Sequence, residues 1–152
     1  MTTFPVSGGC LCGNIRYTVS GPAHCVVHCH CSLCRRSYAS LVGTGATIDR
    51  NQVKIDEGEA NLTSFETPPG IHRQFCRTCG CSLFYYIDDL PDIVFYYPAT
   101  LDGGVHPGHP EGSEHHVHVG SKANWESFED SLPRHDEGLE QALLMNNESK
   151  PD

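Results

Sequence analysis

Short runs in which apolar and polar residues alternate dominate the chain, and this period of two predicts β-strands. Residues 15–19 alternate and end at Gly21-Pro22, so we expect a strand that is closed by a turn. The most apolar runs, residues 82–87 and 93–97, are expected to form core strands. Further short strands are expected at residues 25–29, 41–48, 52–55, 62–65 and 116–119. The pattern therefore predicts a mainly β protein.

Helical patterns are confined to two short segments. Residues 32–38 predict a helical turn, and residues 138–145 are long enough for about two turns. The length of 152 residues suits one domain, which we place at residues 1–135. Residues 136–152 are expected to form an acidic C-terminal tail that frays at residues 146–152.

The chain has nine cysteines, an odd number that excludes complete pairing in internal disulfides. Its first residues, Met1-Thr2-Thr3-Phe4-Pro5, are unlike a signal peptide, and no apolar run approaches the length of a membrane span. Cysteine-rich chains without export signals are typical of thiolate–metal chemistry in a reducing compartment. We therefore expect a cytoplasmic metal-binding protein.

Acidic residues outnumber basic ones, and the formal net charge is −9 at pH 7. Such a charge repels the phosphate backbone of nucleic acids and anionic membrane surfaces. Although paired cysteines also occur in zinc fingers, we expect neither a nucleic acid nor a membrane as partner. The charge does not argue against a protein partner.

Two spaced cysteine pairs predict one closed metal site, here called the four-cysteine group. Cys76 and Cys79 have the knuckle spacing that turns two sulfurs toward one ion, and Gly80 follows where a positive φ is often needed. Cys10 and Cys12 are two apart, so on an extended segment both face the same side. The four thiolates predict a tetrahedral structural zinc site, with buried thiols that bind no metal as the alternative.

A second set, the three-cysteine group, lies between these pairs in the sequence. Cys29 and Cys31 share a strand face and Cys34 lies one turn further on, which provides three sulfurs and no obvious fourth ligand. Three protein ligands and a free position describe a catalytic zinc. The alternative is a second structural site that is closed by Cys25 or by a distant histidine.

Histidines between residues 106 and 118 provide a further alternative, a metal site for zinc or nickel. His116 and His118 share a strand face, and three more lie nearby: His106, His109 and His115. The segment is also rich in glycine and proline, which favours a solvated loop.

Three cysteine motifs follow one another in a specific order: Gly8-Gly9-Cys10-Leu11-Cys12-Gly13-Asn14-Ile15-Arg16-Tyr17, Cys29-His30-Cys31-Ser32-Leu33-Cys34-Arg35-Arg36 and Arg73-Gln74-Phe75-Cys76-Arg77-Thr78-Cys79-Gly80. In this order they resemble the motifs of the glutathione-dependent formaldehyde-activating enzyme family, which also contains centromere protein V. The stretch from His116 to Trp125 resembles the usual ending of that family.

This resemblance implies a β-tent fold of coiled antiparallel sheets. It implies two zinc ions per chain, a structural one on the four-cysteine group and a second one on the three-cysteine group. It also implies an activity that joins formaldehyde and glutathione into S-hydroxymethylglutathione, formally a carbon–sulfur lyase reaction.

Two functions are compatible with these observations. In the first, a small thiol, glutathione foremost, takes the free position at the zinc of Cys29, Cys31 and Cys34, loses its proton and attacks an aldehyde. Arg35 and Arg73 are the candidates for holding a substrate carboxylate by paired hydrogen bonds. In the second, both zinc ions are structural and the surface binds a protein partner without catalysis.

Overall fold

Ten strands and two short α-helices form the fold in the computed structural model, which describes residues 1–145. The strands are β1 Val6–Gly9, β2 Arg16–Val19, β3 Cys25–Cys29, β4 Gly43–Asp49, β5 Val53–Glu57, β6 Leu62–Glu66, β7 Ile71–Cys76, β8 Ser82–Ile87, β9 Ile93–Tyr96 and β10 Glu114–Val117. The helices are α1 Ser32–Tyr38 and α2 Gln141–Leu144. The predicted mainly β class is confirmed, and the fraying expected at residues 146–152 lies outside the described residues.

Five single turns of 3₁₀-helix connect these elements within the described residues: Arg50–Gln52, Glu59–Asn61, Pro98–Thr100, Asp102–Gly104 and Val119–Ser121. Neither α-helix of this part of the chain has the length and apolar composition of a membrane span.

The predicted and observed bounds agree for three elements. β3, α1 and β8 begin and end at the predicted residues, whereas α2 is shorter than the predicted segment 138–145. β10 begins at Glu114, ahead of the expected start. The sequence pattern does not predict β1 or β7. β1 ends in two glycines, and β7 has three polar residues at its centre, so both depart from strand-like composition.

The strands form two sheets. β1, β2 and β5 make a small sheet, and the other described strands form a seven-stranded sheet in the order β10-β3-β4-β9-β8-β7-β6. Neighbouring strands are antiparallel except for β10 and β3, which run parallel. The sheets agree with the expected β-tent class, and the parallel pair is the departure from a purely antiparallel arrangement.

Each face of the large sheet carries its own apolar cluster. Alternate residues of β9 point to opposite faces, so Val94 and Tyr96 belong to one cluster while Ile93 and Phe95 belong to the other. The first cluster includes Tyr17 of β2 and so joins the small sheet to the large one. The second cluster is covered by the C-terminal segment, because Leu139, Leu144 and Met145 pack against it.

Candidate metal centres

Four cysteines from distant parts of the chain meet between two turns. Cys10 and Cys12 lie between β1 and β2, Cys76 ends β7, and Cys79 lies in the turn before β8. Their sulfur atoms all lie within 4.8 Å of one another, so the four-cysteine group could hold a metal ion. The group connects a strand end of the small sheet to a strand end of the large one.

The sulfur–sulfur distances in this group fit a tetrahedral zinc site. Cys12 Sγ lies 3.6 Å from Cys10 Sγ and 3.7 Å from Cys76 Sγ. Zn–S bonds of about 2.3 Å place tetrahedral sulfurs about 3.8 Å apart. The backbone N–H of Ile15 donates to Cys10 Sγ at 3.3 Å, and Asn61 Nδ2 donates to Cys76 Sγ at 3.1 Å. Such donors favour thiolates, so the donor set and its surroundings both fit zinc.

The turn after Cys79 adopts the backbone conformation that the sequence predicts. Gly80 has a φ of +74°, a region that L side chains rarely adopt. Its N–H donates to the carbonyl of Cys76 at 2.8 Å and closes the turn. A Cβ at Gly80 would meet no atom within 4 Å, so the φ angle, and not crowding, requires glycine there.

The three-cysteine group lies where β3 passes into α1. Cys29 ends β3, Cys31 is the N-cap of α1 and Cys34 lies in its first turn, where its N–H donates to Cys31 Sγ at 3.3 Å. The three sulfurs lie within 4.8 Å of one another, and the group has three members among residues 1–145. Cys25 does not join it; its sulfur lies 3.2 Å from Thr47 Oγ1. Three sulfurs around a shared point could also hold a metal ion.

A cation lies beside this group. Arg73 Nη1 donates to Cys34 Sγ at 3.8 Å. A hydrogen bond from Cys29 and the charge of Arg73 lower the pKa of Cys34 to about 6. The same bond and then burial raise the pKa of Cys29. The contacts with Cys29 and Arg73 therefore favour the thiolate form of Cys34.

A cavity of about 290 Å³ opens beside the three-cysteine group. Cys29, Cys34 and Arg73 form its polar end. Most of the remaining wall is apolar or aromatic and includes Val27, Ile71, Tyr85, Ile87, Phe95 and Leu139. Ligand sites of proteins have this character, an apolar cleft with a few placed polar groups.

Arg73 is unusual because a charged side chain lies inside the fold. Only 7% of its surface is exposed. Its Nη1 also donates to Tyr38 Oη at 3.0 Å, and its guanidinium lies over the rings of Tyr38 and Tyr85. Its Nε has no hydrogen-bond partner among residues 1–145, so the guanidinium retains donor capacity for another group. A buried cation needs a counterion, and the Cys34 sulfur beside it can supply the negative charge.

Arg35 occupies a different position. Its Nε donates to the carbonyl of His30 at 3.4 Å and its Nη2 to the carbonyl of Ser121 at 3.3 Å. The cavity is lined by Arg73 and not by Arg35. Of the two arginines predicted to bind substrate, the fold thus brings Arg73 to the cavity and leaves Arg35 outside the cavity lining, bonded to backbone carbonyls.

Two tyrosines at the cavity have no signal in the sequence pattern. The hydroxyls of Tyr38 and Tyr97 are in contact, and both residues line the cavity. Burial raises the pKa of both hydroxyls, so each keeps its proton at neutral pH. Tyr38 ends α1 and Tyr97 follows β9, so the topology of the sheet, and not a local motif, brings them together.

A buried histidine pair supports the three-cysteine group from the other side. His30 is fully buried, with Nδ1 2.8 Å from Glu126 Oε2 and Nε2 2.8 Å from His116 Nδ1. His116 Nε2 in turn lies 3.0 Å from Asp130 Oδ2. This chain of contacts fixes the backbone between Cys29 and Cys31 against residues 126–130.

The histidine-rich segment does not form the alternative metal site. Among residues 1–145, one further set of ligand atoms converges, on Glu66, His72 and Asp88, and the histidines of residues 106–118 form none. His109 Nε2 lies 3.4 Å from Glu114 Oε2, and the rings of His106 and His109 stack. The segment's histidines therefore pair with acids and with one another.

Two comparisons with known proteins agree with this geometry. The model of the family named glutathione-dependent formaldehyde-activating enzyme matches residues 5–120, which include both cysteine groups. The crystal structure of a Rhodobacter sphaeroides protein is similar to this chain, with 30% sequence identity and a TM-score of 0.55. That match covers 66% of this chain and 91% of the Rhodobacter chain. Both comparisons relate most of the chain to proteins with a shared fold.

Proposed function

Because the chain belongs to the glutathione-dependent formaldehyde-activating enzyme family, we propose that it is a zinc-dependent enzyme that makes and breaks the carbon–sulfur bond of a thiol–aldehyde adduct. S-hydroxymethylglutathione, the adduct of glutathione and formaldehyde, is the first substrate to test. One observation carries the proposal: the three-cysteine group opens onto a cavity that also holds the buried Arg73. A purely structural metal site needs neither a cavity nor a buried cation.

The proposal includes two zinc ions per chain. The four-cysteine group suits a closed structural site, since its sulfur distances of 3.6 and 3.7 Å are close to the tetrahedral value. The three-cysteine group would hold the second ion and leave one position for a substrate thiol, which makes Cys29, Cys31 and Cys34 the catalytic ligands. None of the nine cysteines is paired in a disulfide in the structure, and metal-bound thiolates persist in a reducing compartment, so the cytoplasm is part of the proposal.

The proposed reaction adds a thiol across the C=O bond of an aldehyde. A sulfur–carbon bond forms, the carbonyl becomes a C–O single bond, and the thiol proton ends on that oxygen; the reverse reaction releases thiol and aldehyde. When bound, zinc would lower the pKa of the substrate thiol so that it reacts as a thiolate.

Residues of this chain would control the charge and the proton. Arg73 is placed to neutralise the negative oxygen that develops as sulfur attacks, and such a contact is strong in a cavity with low dielectric constant. The Tyr38 hydroxyl, which keeps its proton at neutral pH, lies 3.0 Å from Arg73 Nη1. It would pass its proton to the oxygen and take up the proton that the substrate thiol releases, so that the proton balance is kept. The apolar wall excludes water from the adduct.

We expect zinc-loaded protein to contain close to two zinc ions per chain and to consume formaldehyde with glutathione faster than the uncatalysed reaction. Mass spectrometry measures the metal, and NMR measures the adduct. A Cys31→Ser control should retain one zinc ion and lose the acceleration. If fully loaded protein binds no thiol, the alternative applies, a protein-binding module with two structural zinc ions.

Arg35→Ala is expected to weaken glutathione binding roughly two- to fivefold while the zinc content stays unchanged, because a partly buried arginine that follows the last ligand in sequence contributes modest charge attraction. Calorimetry measures the affinity. Arg36→Ala is the matched control, since Arg36 follows Arg35 on α1 and is exposed. Equal effects of the two substitutions would contradict a specific role for Arg35.

A further inference from the structure

The cavity beside the three-cysteine group is more apolar than formaldehyde or glutathione requires. Formaldehyde carries only hydrogen on its carbon, and glutathione carries two carboxylates that lose solvation against an apolar wall. An apolar cavity of about 150 Å³ is large enough to bind benzene, and this cavity measures about 290 Å³. It therefore has room for a group of phenyl size beyond the reacting carbon.

A glycine of β4 leaves room for a side chain in this cavity. Gly43 and Gly45 lie directly opposite Cys29 and Val27 of β3, and all four residues line the cavity. Directly opposed residues of antiparallel strands face the same side of a sheet. A Cβ added at Gly45 would make ordinary contact with Phe95, at 3.4 Å. Gly45 thus leaves side-chain space free on the sheet face that carries the predicted metal ligand Cys29. A Cβ at Gly43 would instead meet the ring of Tyr38 at 2.7 Å.

The C-terminal segment closes the far side of the cavity. Leu139 and Leu144 line it and pack against the second core cluster. The N–H of His118 donates to the carbonyl of Glu137 at 2.8 Å, which holds the segment beside the end of β10. These leucines lie beyond residue 120, where the family match ends, so the shared cysteine motifs do not include this part of the wall.

We propose that the cavity binds an apolar group of phenyl size on the carbon that is attached to sulfur, so that the substrates are thiol adducts of aromatic or branched aldehydes. This inference rests on the proposed function and specifies its substrate class. The bond changes are the same as for formaldehyde: the S–C bond forms, the C=O bond becomes a C–O bond, and the thiol proton moves to oxygen. No oxidant or further reactant is needed.

Two thioethers that differ by one phenyl ring test the inference. Calorimetry of zinc-loaded protein should show that S-benzylglutathione binds roughly ten- to a hundredfold more tightly than S-methylglutathione, as burial of an aromatic ring predicts. Equal affinities would overturn the inference. The measurement does not depend on catalysis.

Variants of the cavity wall locate the binding. Gly45→Val fills the space and should reduce the preference for the benzyl compound to within about threefold, since the ring loses its burial. Leu144→Ala should reduce it several-fold, whereas Leu143→Ala, at a neighbouring position that does not line the cavity, should not change it. Zinc content and circular dichroism verify folding. A full preference in Gly45→Val would contradict the proposed location.

A second pair of ligands separates this inference from the proposed function. Phenylmethanethiol and methanethiol also differ by one phenyl ring, but they lack the peptide and carboxylate groups of glutathione. If both glutathione thioethers fail to bind but phenylmethanethiol binds more tightly than methanethiol, glutathione is wrong as the thiol and the apolar site stands. If the phenyl thiol has no advantage, the apolar site is wrong even where formaldehyde and glutathione react.

Discussion

Cys76→Ser is expected to lower the free energy of unfolding by more than about 4 kcal/mol, whereas Cys31→Ser should leave a folded protein. Cys76 is fully buried in the first core cluster, and its group links the turn after β1 to the end of β7. Loss of one thiolate there would remove the proposed zinc ion, which would link the two sheets. Cys31 caps a seven-residue surface helix, so loss of its sulfur affects a local segment.

Urea unfolding with metal analysis of each variant measures this difference. Cys25→Ala is the matched control, because Cys25 is 1% exposed yet belongs to neither cysteine group. It should cost about 1–2 kcal/mol, the value for a small buried side chain, and should retain both zinc ions. If Cys76→Ser costs no more than Cys25→Ala, the four-cysteine group holds no structural metal. Equal loss from Cys76 and Cys31 would mean that both sites are structural.

The cysteine groups could be predicted from sequence because their geometry is local. Two residues between Cys76 and Cys79 confine both sulfurs to one side of a turn, and the extended segment around Cys10 and Cys12 does the same. A four-ligand site then requires only that the two cysteine pairs lie close together. In the structure, their sulfur atoms all lie within 4.8 Å of one another. Strands with a continuous apolar run, such as β8, could also be predicted because the run itself is a local signal.

The cavity could not be predicted because its parts are neighbours only through the sheet order. β7 has three polar residues at its centre, so the sequence pattern does not predict a strand there. Arg73 is one of these polar residues, and the pattern gives no sign that its side chain is buried. The order β4-β9-β8-β7 then brings Tyr97 and Arg73 to one side of the sheet. The tail beyond residue 135 was expected to lie outside the domain, yet Leu139 and Leu144 line the cavity.

Arg73→Met is expected to lower kcat/KM for adduct formation roughly a hundredfold or more. The substitution keeps an unbranched side chain of similar length but removes the positive charge and the N–H donors. It would leave the developing oxygen charge without a partner in an apolar cavity, which costs far more than losing an exposed charge. Because the contact is strongest in the transition state, kcat should fall more than KM rises.

Two further variants separate this role from a structural one. Arg73→Lys keeps the positive charge but lacks the planar guanidinium group with its paired N–H donors. It should restore part of the activity, with kcat between those of wild type and Arg73→Met. Arg36→Met is the matched control, since this arginine is exposed on α1 and should stay within about twofold of wild type. Zinc content and thermal unfolding show whether each variant keeps its metal sites and its fold. If Arg73→Met keeps wild-type kcat with a full complement of zinc, the buried guanidinium neutralises the cysteine ligands alone and takes no part in the reaction.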